Sequence, residues 1–300
     1  MKSMRFAGSS GGAGLAVGGL LLLAACSGGG GTAAPSASAT PYGTVLGQAL
    51  EPVDSGLGKA AAATTPADLA KALGVVGSSA GRAARSLNSA VTPAGAEAAR
   101  TDLVNALEAL TLETSALSAD IWSKKLCGLG VAQARLGAGQ ALQGVSAALA
   151  KLTTAGYRTA FTVPQLPAPQ PQPRSLENGT MVREGGKGGK GTLKFDNQGS
   201  NDAVFTLAQG GKSVASVYAA KGRLATVEGV EDGSYDFYYT TGVDWDSEAK
   251  QFTENRQFIK YQESYAFTPS VAAWNVVIGV NDGKGGAKIE GQTVNSAPQP

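Results

Sequence analysis

Carboxylates at alternate positions of a turn can converge on a hard cation, and the run "DWDSE" offers Asp244, Asp246 and Glu248 in that spacing. Calcium would suit such oxygens. A solvated acidic turn around a packed Trp245 accounts for the same residues, and no metal is expected. Two acids across a cleft, one with a raised pKa, could also hydrolyse a glycan. A small β-domain offers little cleft for that, so a carboxylate-based glycan hydrolase is the alternative and a non-catalytic protein the main expectation. Tyr238, Trp245 and Phe252 are expected to close the edges of the β-domain, and they are also the candidate ligand-binding residues, because exposed aromatics can stack on sugar rings or anchor a protein partner. "GGKGGKGT" contains G-x-G-x-x-G at Gly186, Gly188 and Gly191. A phosphate site needs such a loop to open a helix, whereas this one opens a strand, and Lys190 is followed by glycine rather than serine or threonine. The sequence has no histidine. No serine or cysteine nucleophile can therefore have an imidazole base, and haem or carboxylate–histidine centres are set aside. No catalytic residue and no cofactor is expected.

The start of the chain carries a different chemistry. Lys2 and Arg5 precede a Gly/Ala/Leu run from Ala7 to Ala25 without a charge, too glycine-broken for a membrane span but suited to a secretory signal. Leu23, Ala24, Ala25 and Cys26 resemble the lipobox of bacterial lipoproteins. The resemblance implies a diacylglyceryl group with palmitate-like chains on the Cys26 sulfur, removal of residues 1–25, and a lipid anchor on the extracellular side of the cell membrane. Two acyl chains hold stably where one holds only marginally. Of 25 basic residues, loss of Lys2 and Arg5 leaves 23, equal to the 23 acidic ones. A formally neutral chain has no clustered basic excess for nucleic acid, which is not an expected partner. With Cys26 acylated, Cys127 is left as a small buried hydrophobe or as half of an intermolecular disulfide.

These groups must be positioned by elements whose spacing can be counted. Residues 26–41, rich in Gly, Ser, Ala and Thr, read as a flexible tether. Leu69, Leu73, Val76, Ala80, Ala83, Leu87 and Ala90 recur at helical spacing, as do Leu103, Leu107, Leu110, Thr114, Leu117 and Ile121. Thr65-Pro66 and Thr92-Pro93 each pair a hydroxyl cap with a proline, which predicts helix starts near 66 and 93. A third helix is expected from about Gly128 to Ala155, ending before Gly156, and a shorter one over Thr44 to Lys59 despite Pro52. Short connections make 42–162 an antiparallel bundle of three or four helices. Five prolines in "VPQLPAPQPQPR" predict an extended spacer over 163–178 that keeps two bodies apart.

Beyond the spacer, 14 of the chain's 19 aromatic residues fall between Phe195 and Trp274, in short alternating runs separated by glycine turns. About seven strands are expected, with Leu193, Phe195, Tyr235, Phe237, Tyr239 and Trp274 facing inward. They predict a small antiparallel β-sandwich over 179–291 and a disordered tail over 292–300, an α+β chain of two domains. The stretch from "DNQGSNDAVFTLAQGGKSVASVYAAKGRLATVEGVEDGSYDFYYTTGVDWDSEAKQFT" to "WNVVIGVNDGKGGA" looks like a β-domain of exported proteins and lipoproteins of actinobacteria such as Streptomyces. That resemblance implies a cell-envelope protein and no particular activity. An envelope glycan or protein is the expected partner of this part.

Overall fold

Helix formation follows the apolar stripes closely. The computed structural model describes residues 41–185, 188–278 and 291–300. Helix α1 spans Tyr42–Ala61 and buries Leu46, Leu50, Val53 and Leu57, with Pro52 accommodated inside it. Helix α2, Pro66–Ser89, starts where the Thr-Pro pair predicts: the Thr65 hydroxyl oxygen accepts from the Asp68 amide at 3.1 Å. Such a cap contributes about 1 kcal/mol. Helix α3, Glu97–Trp122, begins later than Thr92-Pro93 predicts. The Thr92 hydroxyl donates to the Ala90 carbonyl, and Gly95 holds φ at +87°, a conformation no helix can pass through. The Glu97 carboxylate accepts from the Gly95 amide instead.

The single long helix expected over 128–155 is two: α4, Leu129–Ala138, and α5, Gln140–Thr154. Gly139 between them is extended, at φ −60° and ψ 135°. Glu113 of α3 explains the break. Its carboxylate accepts from the Ala141 amide at 3.2 Å and lies 2.6 Å from where a Cβ on Gly139 would stand. The apolar stripe runs on across the break because both halves face the same core, which is why periodicity alone does not reveal it. Helix α2 packs against α1 and α3, and α5 packs against α3. Gly77 lets α2 and α3 approach closely: the Thr111 hydroxyl donates to the Gly77 carbonyl at 3.1 Å, and a Cβ there would meet the Thr114 oxygen at 2.7 Å.

Nine strands follow among the described residues: β1 Met181–Arg183, β2 Gly191–Asn197, β3 Asp202–Gln209, β4 Lys212–Ala219, β5 Arg223–Val230, β6 Gly233–Asp246, β7 Gln251–Phe267, β8 Ala273–Ile278 and β9 Gly291–Val294. They form a six-stranded sheet, β1-β4-β3-β6-β7-β9, and a three-stranded sheet, β5-β2-β8. The chain is therefore α+β, with five helices among the described residues. All pairs are antiparallel except β2 with β8. A tight turn at Thr268–Val271 sends the chain from the end of β7 into the other sheet, where no hairpin dictates direction and β8 runs parallel to β2. Gly291–Val294 pairs with Phe258–Tyr261, so the tail expected from 292 begins as an edge strand.

Residues of both sheets share one apolar cluster that includes Leu193, Phe195, Phe205, Val217, Phe237 and Val276. Phe237 and Tyr265 stack at 4.5 Å. Of the residues expected inward, Tyr235 is buried, whereas Tyr239 and Trp274 are half-buried at its margin.

Candidate functional site

The acidic run ends β6, and its backbone departs from strand alternation. The β6–β7 register shifts between Thr241 and Val243, and Asp244 takes φ +59°. Gly242 permits this, since a Cβ there would stand 2.4 Å from Cβ of Phe252. Asp244 is turned inward and buried. Its carboxylate accepts from the Arg174 amide at 2.8 Å, from Arg174 Nε at 2.9 Å and NH2 at 2.7 Å, and from the Thr253 hydroxyl at 2.5 Å. Burial pushes the Asp244 pKa up, but the bonds from Arg174 and Thr253 outweigh it and hold the carboxyl below its usual value. The same bonds raise the pKa of Arg174.

Asp246 does not join Asp244 around a common point. One oxygen accepts from the Glu248 and Ala249 amides, closing a turn, and the other lies 3.6 Å from Arg174 NH1. Glu248 is exposed. The cation between the two aspartates is thus a guanidinium of the chain itself, and among the described residues no group of three or more His, Cys, Asp or Glu could hold a metal ion.

Trp245 and Phe252 pack inside the fold and are not exposed for ligand binding, at 2% and 0% exposure. They form a second cluster with Val204 and Tyr218, on the face of the six-stranded sheet opposite the main core. Trp245 meets Phe252 edge-on at 5.0 Å and Tyr218 at 5.9 Å. Leu176 and Val182 cover them, and the Trp245 amide donates to the Arg174 carbonyl at 2.8 Å. Tyr238 alone of the three is half-exposed, with Lys260 Nζ 5.4 Å above its ring. The signal for this cover is in the strands: Val204-Phe205 and Val217-Tyr218 are adjacent buried pairs, so β3 and β4 must be covered on both faces.

The proline segment is accordingly tied at both ends. Leu166 packs on the helical core beside Gly137, and Arg174 is clamped by Asp244. The helices also meet the sheet directly. The Cys127 and Gly128 amides donate to the Thr253 carbonyl, Asn255 donates to the Lys125 carbonyl at 3.0 Å, and Arg135 pairs with Glu254. These contacts replace the separation expected of a spacer, and the described residues from Pro41 onward belong to one compact unit. Cys127 is half-buried at this junction, its thiol donating to the Lys124 carbonyl at 3.1 Å.

A cavity of about 280 Å³ opens between the sheets where β1 and β4 part from β5. Leu207, Val214, Val227 and Val230 wall it, and Glu228 and Glu231 stand at its rim. The buried Tyr235 reaches its edge and donates to the Glu231 carbonyl at 3.2 Å. Of the glycine motif, Gly188 and Gly191 precede and open β2, not a helix. A Cβ on Gly189 would meet the Val230 carbonyl at 1.9 Å, so close backbone approach explains that glycine. Gly186 lies outside the described residues, as do Leu23, Ala24, Ala25, Cys26 and the tether before Pro41. The chain matches no family model, no curated protein and no solved structure.

Proposed function

We propose that the chain is a lipid-anchored, extracytoplasmic cell-envelope protein of actinobacterial type, acting as a non-catalytic binding or structural module. In this reading a helical bundle and a β-sandwich stand off the membrane on residues 27–41. The observation that carries it is the run Leu23-Ala24-Ala25-Cys26, followed by a Gly/Ser/Ala stretch that gives way to helix α1 at Tyr42. An acylated Cys26 would thus sit just upstream of the folded unit. No described helix is long and apolar enough to cross a membrane; in this reading the two acyl chains on Cys26 supply the retention. A glycan hydrolase built on Asp244 and Asp246 is the weaker reading, because Arg174 already engages both carboxylates and holds the Asp244 carboxyl below its usual value, the opposite of what a general acid needs.

Cys26→Ala tests the anchor. Wild type should partition into detergent and carry the mass of a diacylglyceryl group on Cys26, while the variant persists as a precursor or leaves as a soluble protein. Cys127→Ala should leave anchoring unchanged. Equal membrane retention of wild type and Cys26→Ala, with no lipid mass on Cys26, overturns the reading.

A further inference from the structure

The cavity between the sheets pairs apolar walls with carboxylates at its rim. Among the described residues, the charged side chains that line it are all carboxylates, with Glu228 and Glu231 exposed at the mouth. Leu207, Val227 and Val230 are buried behind them and offer no oxygen donors, so the interior suits hydrocarbon and not a bare metal ion. About 280 Å³ is room for a small ligand. The flanking strand edges do not suit an added peptide strand: β1 is only three residues, and the Leu224 carbonyl at the start of β5 already accepts from the Asn178 amide nitrogen at 2.7 Å.

We infer that this cavity binds a small aliphatic ammonium compound, its alkyl body between Leu207, Val214 and Val227 and its cationic head beside Glu228 and Glu231. The inference rests on the reading of the chain as a binding module and gives that module a ligand class. Burying methylenes supplies the affinity, about fourfold for each one. The carboxylates supply the discrimination, rejecting an anionic head by repulsion and a neutral one by lost attraction.

Isothermal titration of the full chain with hexylammonium, hexanol and hexanoate tests this. Hexylammonium should bind, butylammonium about fifteenfold more weakly, hexanol about fivefold more weakly and hexanoate not at all. Glu228→Gln and Glu231→Gln, both at exposed positions, should each weaken hexylammonium about three- to fivefold with the melting temperature unchanged. Val214→Trp, filling the half-buried wall, should abolish uptake. Absence of hexylammonium binding, equal binding of hexanol and hexylammonium, or Gln variants that bind as wild type would each overturn the inference. Lipid mass on Cys26 is read separately. Its presence without amine binding overturns the ligand assignment alone, and amine binding without it overturns the anchor alone.

Discussion

Replacing Asp244 by asparagine removes one negative charge from a site where it meets four hydrogen-bond donors within 2.9 Å. The amide keeps one oxygen for the Arg174 main chain and Nε, but turns an NH2 toward Arg174 NH2 and the Thr253 hydroxyl. Removing one partner of a buried ion pair costs about 3–5 kcal/mol. The Asp244 side chain is 1% exposed but that of Arg174 is 29% exposed, so water can reach the stranded guanidinium and the lower end, about 3 kcal/mol, is expected. Arg174→Met strands the buried carboxylate instead and should cost more. Urea unfolding of the full chain measures both. The folded-state pKa of Asp244 is depressed, so its stabilisation is present above the unfolded value of about 3.9. It is lost as pH falls below that through the folded value, and Asp244→Asn should flatten this acid limb. The clamp also holds the Arg174 main chain, so trypsin should cut after Arg174 faster in Asp244→Asn than in wild type. An Asn variant within about 0.5 kcal/mol of wild type, with Arg174 equally resistant, would refute the clamp.

Gly128→Ala would place a Cβ 2.7 Å from Cβ of Thr253, and urea unfolding should show a loss of about 1–3 kcal/mol by overpacking the junction of helices and sheet. Thr65→Ala removes the α2 cap and should cost about 1 kcal/mol, read from the same unfolding curves and recovered by Thr65→Ser.

The stripes that bury one face of each helix are plain in the sequence, and so are the strand cores around Phe195, Phe237 and Val276. Helix ends are legible where a side chain does the capping, as at Thr65, and illegible where a distant residue does, as Glu113 does at Gly139. The same limit governs the acidic run. Alternation through "DWDSE" predicts three carboxylates on one side, but a bulge beside Gly242 rotates Asp244 inward onto a partner seventy positions away. Arg174 looks like a charge closing a proline run, and only the burial of Trp245 requires something to lie over it. The inter-sheet cavity had no signal in the sequence, because it arises where two sheets splay and not from any local pattern.

The junction at Gly128 sets an order on the chain's maturation. The amides of Cys127 and Gly128 find their acceptor on Thr253, in the second strand of the β6–β7 hairpin, which is synthesised well after them. Helices α1, α2 and α3 can bury their stripes on one another as soon as they emerge. The start of α4 has no acceptor within the fold for those two amides until β6 and β7 have paired, so the helical half carries an unfinished seam that this hairpin closes.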